Sequence, residues 1–457
     1  MLKSRQGGQA MVLSLILLGF TVMAMLFGFN ASQLNHEGTR LQNTADNTVY
    51  SLANIVARDM NFKAYTNRAA VANQVAVAQM VGLSAWFNMT DTFTDNACTL
   101  LCWVPYLGQA INAVARVTNT INQGAQPFFE AMVNVENILL KAISTAQVAV
   151  NYAGLVGGID TAMEVVKAND PAARLDLMQN PLALEDVRHI WMDFQQRFSR
   201  DKSRDGTQYK DFLAVTSNSR DGFTKGSNYK LGFPWSLRFW PLRWATKKAG
   251  GSDLISNGDR EGETWTSAHT LGIHLERWSC KRFRCKWRGG EIPVGWGGTR
   301  SDDRKSLRNV SGNKVWGSSR SVNRSATNLA TYNEETRGNY DGVQPFYALD
   351  KDGDSVSETR NIAIVVSKPQ NRIRTSARLD VGHDNTDPAT NEEMYGDRMS
   401  AMASASVFYS RPQDLTAWRR KDGRSEYGNL YNPFWQPHLT DNSGADRRWV
   451  YVLTAAL

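Results

Sequence analysis

The string LDKDGDSVSE places Asp350, Asp352 and Asp354 at alternate positions, with Ser355 and Glu358 following. Alternating carboxylates around a turn can wrap a calcium ion in oxygen ligands. An EF-hand loop has its turn glycine at the sixth position, whereas Gly353 would be fourth, so this segment is not that loop. Calcium held by Asp350, Asp352, Asp354 and Glu358 is one reading, and a plain acidic turn is the other. No further cofactor is expected.

The four cysteines form two local pairs, Cys98 with Cys102 and Cys280 with Cys285. In RWSCKRFRCKWR, pairing Cys280 with Cys285 sets Trp278 opposite Trp287 across a hairpin whose turn is Lys-Arg-Phe-Arg. A zinc site built from all four would need ligands from two separate regions, and neither pair has knuckle spacing, so disulfides are the reading. Around that turn lie Arg277, Lys281, Arg282, Arg284, Lys286 and Arg288, and KLGFPWSLRFWPLRWATKK adds aromatics among more cations. Such interleaving suits anionic lipid head groups or stacked bases. The plainer reading is a stapled surface hairpin beside a tryptophan-rich core. Nucleic acid is the weaker partner, because a segment exported from the cytoplasm rarely meets any.

Catalytic signals are poor. There is no HExxH, no GxSxG and no phosphate-binding glycine loop. Ser199-Arg-Asp-Lys202 fits Ser-x-x-Lys only by chance in a charged stretch, and His269 and His274 would point to opposite faces of a strand. No enzyme is expected.

The elements that must carry these residues begin with RQGGQAMVLSLILLGFTVMAMLFGF, Arg5 to Phe29, uncharged from Ala10 onward and long enough to cross a bilayer as a helix. Lys3 and Arg5 precede it and Glu37 is the first charge after it, which leaves the amino terminus in the cytoplasm and the bulk outside. Cleavage after Val22-Met23-Ala24 competes with a retained anchor, but Met25 to Phe29 continues the apolar run past that point. A prepilin-type cut after Gly8 would put Leu13 where a glutamate is wanted. The retained anchor is the reading, and its small residues Ser14, Gly19, Thr21 and Ala24 would let a neighbouring helix approach closely.

From Asn30 to Asn88 there is no proline, and Ala45, Val49, Leu52 and Val56 alternate four- and three-residue spacing, which predicts one long helix continuing from the anchor. A second helical region from about Tyr106 to Val166 is expected to break near Pro127. Its apolar face would be Phe129, Met132, Val133, Ile138, Leu139 and Ile143, packed against the first as an antiparallel hairpin. After about Asn180 short alternating runs replace the helical ones. Ala403, Ala405, Val407 and Tyr409 line one strand face, while Ile362–Val366 and Trp449–Leu453 read as buried strands. Long exposed loops are expected over about 298–340.

The 457 residues allow two domains, and 42% hydrophobic content excludes global disorder. Charge is uneven: residues 1–190 hold 11 Lys/Arg and 13 Asp/Glu, the remainder 41 and 31, so the basic excess lies in the C-terminal part.

RLQNTADNTVYSLA, Arg40 to Ala53, resembles the signature of the TadE/TadG-like Flp pilus-assembly family, RLQNAADAAALA, through Leu41, Gln42, Asn43, Ala45 and Asp46; Asn47, Thr48 and Val49 depart from it. Ala57 to Gln79, Ala403 to Pro412 and Asn429 to Leu439 are similar to segments of larger members. A von Willebrand A module is not assigned, since Asp354-Ser355-Val356-Ser357 has the wrong spacing for its metal motif. The resemblance implies membrane attachment and a structural part in building pili through a secretion apparatus. The expected fold is α+β: a cytoplasmic tail and single transmembrane helix (1–29), a helical stalk or hairpin (30–180) and a β-rich extracytoplasmic domain (181–457). The expected site is the bacterial inner membrane with the bulk in the periplasm. Expected partners are the lipid bilayer, other pilus or secretion components, minor pilin-like proteins and a second copy of the chain. An exported, calcium-dependent envelope- or lipid-binding protein is the alternative.

Overall fold

A computed structural model describes residues 7–103, 106–176, 181–200, 207–233, 235–255, 264–281, 284–303, 314–350, 357–369, 372–373, 398–412, 420, 422–424 and 426–442. The fold is α+β. Helix α1, Gly7–Leu101, is unbroken over 95 residues, as the absence of proline predicts, and α2 follows at Leu107–Asn169. Pro127 lies inside α2 and does not break it. The lost backbone bond is offset by tertiary contacts on either side: Gln126 is hydrogen-bonded to Ser84 and Asn88 of α1, and Phe129 and Val133 are buried.

The chain divides into two compact units, Met1–Tyr65 with Val148–Gln196 and Leu349–Leu457, and Thr66–Gln147 with Arg197–Ala348. Each combines helical and β segments.

In unit 1 the two helices run antiparallel. Leu41, Ala45, Val49, Leu52 and Val56 are all at most 1% exposed, so the four-three stripe is the buried face. Gly158 of α2 makes room for it: a Cβ there would lie 3.0 Å from Leu52 Cδ1, and one at Gly154 would lie 3.0 Å from Nε1 of the buried Trp191. A four-stranded antiparallel sheet is ordered Arg174–Leu175, Ile362–Pro369, Arg398–Tyr409, Trp435–Thr440. Ile362 to Val366 are buried, and so are Ser404 and Ser406 on the face opposite Ala403, Ala405 and Val407. The Trp449–Leu453 strand lies outside the described residues.

In unit 2 the helices again run antiparallel, here joined by a polar ladder in which Asn122 donates to Asn88 and Asp91, and Gln126 to Asn88. Phe129 and Val133 are buried on α2, whereas Ile138 and Leu139 are exposed, 65% and 44%. The expected face was therefore drawn too wide, because buried Glu136, Asn137 and Leu140 hold the inner side of that turn. The six-stranded sheet is built on Leu242–Ile255, Thr264–Lys281 and Arg284–Arg300, with Tyr229–Lys230, Ser236–Phe239 and Glu335–Thr336 at its margins.

The described part of 298–340, residues 298–303 and 314–340, is not a set of exposed loops. It closes the last long strand and then forms helices Lys314–Val322 and Arg324–Tyr332. Its small polar residues satisfy one another indoors: Ser319, Asn323 and Thr327 are fully buried, with Ser319 Oγ 2.9 Å from both Thr270 and Thr327 hydroxyls and Asn323 Nδ2 donating to Lys247 O.

Candidate functional site

The opening of α1 carries no packing of its own. Residues 10–25 are exposed throughout, and an 18-residue window there has a mean hydropathy of 2.5. Length and composition fit a membrane span. Ser14 and Thr21 turn their hydroxyls back to the carbonyls of Met11 and Leu18, at 2.9 and 2.8 Å, and Gly19 has nothing within 4 Å, so these positions leave a smooth apolar surface. Ala24 lies on the same exposed stretch.

Immediately beyond, α1 changes from unpartnered to anchored. Gln42 bridges Asp46 and the Met402 carbonyl at 2.9 and 3.0 Å, and Asn61 holds the Trp435 backbone by both its N–H and its carbonyl. The amides thereby tie the helix to the backbone of the sheet without needing side-chain partners.

Two charged clusters are buried here. Lys368 Nζ donates to Glu37 at 2.8 Å and Asp170 at 2.9 Å, all three almost excluded from solvent. Burial pulls Lys368 down, but its two carboxylate partners outweigh this and hold it above 10.5. Burial likewise raises Asp170, yet Lys368, the Ala172 amide and Arg40 hold it below 3.8. Asp170 therefore contributes stability above pH 3.8 that is lost as pH falls through its folded pKa. Asp170→Asn is expected to cost about 2 kcal/mol at neutral pH. The difference from the parent should shrink in acid, as read by urea unfolding at pH 7 and pH 3.

The second cluster joins Lys63 to Asp59 at 2.6 Å, Asn151 at 2.6 Å and Gln195 at 2.7 Å. Burial pushes Lys63 down to about 8 against the pull of Asp59, and burial raises Asp59. None of Glu37, Asp59, Lys63 or Lys368 stands out in sequence reasoning. The one available signal was the four-residue Asp59–Lys63 spacing inside an apolar run.

In unit 2 the Thr264–Lys281 and Arg284–Arg300 strands pair Trp278 with Trp287 and Cys280 with Cys285, and the cysteines form a disulfide, as do Cys98 and Cys102. The indoles pack edge to face at 5.4 Å, and Arg243 and Arg238 lie over Trp287 at 4.5 and 5.4 Å. Arg277 and Lys286 are exposed; Arg282 and the side chains of Lys281 and Arg284 lie outside the described residues.

His269 is fully buried, stacked on Phe223 at 4.9 Å, and its ring nitrogens have no partner among the described residues. Burial first, and the Lys248 charge second, keep it neutral well below 6.5. Lys248, lowered to about 8 by burial, donates to Ser227 and lies 5.6 and 5.8 Å from the Phe223 and Tyr229 rings. With exposures of 0% and 2%, His269 and Lys248 cannot reach a substrate, and they form part of the core. His274 is held by Asn323 at 3.0 Å.

On the outer side of α2 in this unit, Val114, Ile121, Phe128 and Val135 recur every seven residues at 45–56% exposure, with Val117 and Ile138 three residues after the first and last. A strict seven-residue apolar repeat is the seam of a left-handed helix pair.

Of the acidic turn, Asp352 and Asp354 lie outside the described residues. Asp350 donates its backbone N–H to Phe194 O, and Glu358 accepts from Ser406 Oγ at 2.5 Å and lies 3.4 Å from His438 Nε2.

Residues 8–53 match the family model of TadE/G-like Flp pilus-assembly proteins. No curated protein and no solved structure matches the chain.

Proposed function

We propose that this chain is a membrane-anchored structural component of a Tad/Flp-type pilus or related secretion apparatus, held in the inner membrane with its bulk in the periplasm. The observation that carries this reading is a coincidence of boundaries. The family match over residues 8–53 takes in the exposed apolar run and the Arg40–Ala53 signature, and α1 switches from unpartnered to buried between those two parts. Such a helix offers lipid or a neighbouring apolar helix one half and its own sheet the other.

The role is architectural, acting by helix association. The seven-residue stripe on α2 supports this, because among the described residues none covers Val114, Ile121, Phe128 or Val135 enough to bury them. A helix from another subunit of the apparatus would do so.

The test uses cells that assemble pili. Deleting residues 1–29 behind a cleavable export signal should release the chain from the membrane fraction and abolish co-purification of apparatus components and piliation. Since the described cysteines are all disulfide-bonded, Ile121→Cys and Phe128→Cys introduce unique thiols and should form inter-subunit cross-links. Gln123→Cys, exposed but off the stripe, should not. Unchanged piliation and co-purification after the deletion would end the proposal.

A further inference from the structure

In unit 2 two hairpin ends lie side by side. Ser236–Phe239 pairs with the start of Leu242–Ile255 around Trp240-Pro241, and the Trp278 N–H donates to Pro241 O at 2.8 Å, so the stapled hairpin abuts that turn. Directly opposed residues of antiparallel strands share a face. The register Leu237↔Trp244, Phe239↔Leu242 and Trp244↔Leu275 therefore puts five large apolar side chains on one face. Leu237, Phe239, Leu242 and Leu275 on that face are 37–49% exposed, and Trp240 at the turn is 78% exposed. On the other face Arg238 and Arg243 cap the paired indoles.

Segments 236–245 and 275–289 together hold eight Lys/Arg and one acid, Glu276, and Glu276 is already paired with Arg243. A second copy of this surface would be repelled, and an uncharged apolar partner would leave the cations unused. The partner that satisfies both features is an anionic bilayer surface, where aromatic rings sit at head-group depth and cations meet lipid phosphates.

We propose that these two hairpin ends form a second membrane contact, dipping Trp240 and the Leu237–Phe239 face into the interface of an anionic leaflet. The staple at Cys280–Cys285 keeps its two strands, with the exposed Arg277 and Lys286, in register. The contact is independent of the apolar start of α1, although it rests on the reading that the chain stands at a membrane.

The experiment places an environment-sensitive fluorophore (NBD) on Phe239→Cys of the full chain reconstituted in phosphatidylcholine vesicles. A second set of vesicles, with or without an equimolar share of phosphatidylglycerol, is then added, because Trp235 packs on Phe93, roughly 95 Å along unbroken α1 from Phe29. The anionic vesicles should shift emission to shorter wavelength and allow quenching by nitroxide-labelled lipid. High salt should remove both effects, and so should Arg277→Glu with Lys286→Glu. A label at Ser321→Cys, exposed and away from the hairpin ends, should not respond. Emission identical in the two vesicles, or a shift that survives charge reversal, would overturn the proposal. A shift produced by a single-stranded oligonucleotide and by neither vesicle would overturn it in favour of nucleic acid. Vesicle flotation reports the anchor separately, so failure of the hairpin contact and failure of anchoring give different results.

Discussion

Gly297→Val is expected to destroy the packing of α1 on the sheet of unit 2, with a loss above roughly 3 kcal/mol, the upper end for overpacking a well-filled interior. The strand Arg284–Arg300 meets the helix backbone to backbone here. A Cβ at Gly297 would collide with the Ala85 carbonyl oxygen and lie 2.7 Å from Met89 N, and one at Gly295 would lie 2.8 Å from Met89 O. Neither neighbour is a side chain that can swing away. The same approach is used productively by the surrounding sheet: Thr299 Oγ1 donates to Val81 O at 2.6 Å, Ser252 Oγ to Ala78 O at 2.8 Å, and Thr92 of the helix to Trp296 O at 3.0 Å. Separating the two elements to admit a valine would break these bonds as well and leave buried hydroxyls unsatisfied. Gly290→Ala, where nothing lies within 4 Å, should stay near the parent. Thermal unfolding followed by hydrogen exchange in 264–300 would read both variants, and a parent-like Gly297→Val would show that the helix does not lie against this strand.

That contact explains part of what sequence reading could and could not reach. The stretch expected to be exposed loops begins at Gly298, inside PVGWGGTR. PVGWGGTR is a strand whose glycines are needed because a helix backbone, not a side chain, is the neighbour. Likewise Ser319, Asn323 and Thr327 look like solvated loop residues until Thr270, from another part of the chain, partners Ser319 and Asn323, which in turn bond Thr327. Periodicity served well where one face meets one partner. The Ala45–Val56 stripe is the buried stripe, and the Trp-x-Cys symmetry of the hairpin matches its register, because both are local patterns. It failed at Ile138 and Leu139, where α2 has a buried inner face and an apolar outer one, and apolar residues alone do not say which is which. The Lys368 cluster was out of reach because its partners are remote: Lys368 finds Glu37 331 residues away, and nothing local announces it.

Lys63→Met is expected to cost about 3–5 kcal/mol, because it removes one member of a buried ion pair and strands the other. The Asp59 side chain is 2% exposed, and without Lys63 its carboxyl must take up a proton or remain an uncompensated charge. Asn151 and Gln195 also lose the ammonium they accept from. The double variant Asp59→Leu with Lys63→Met should recover much of the loss, since apolar replacement of a whole buried pair is often neutral. The pair also makes stability depend on pH in a defined direction. The unfolded chain keeps the Lys63 proton up to about 10.5, whereas the folded chain gives it up at about 8. Between those values the unfolded state binds more protons, so this group makes stability rise with pH, by roughly 3 kcal/mol over the window. Asp59, raised in the folded state, acts oppositely above 3.8, and Lys368, held above 10.5, loses its contribution only at still higher pH. The difference in unfolding free energy between the parent and Lys63→Met should therefore widen from pH 8 to pH 10. A constant difference across that range would mean that Lys63 titrates as an ordinary solvated lysine, which its three buried hydrogen bonds would then fail to explain.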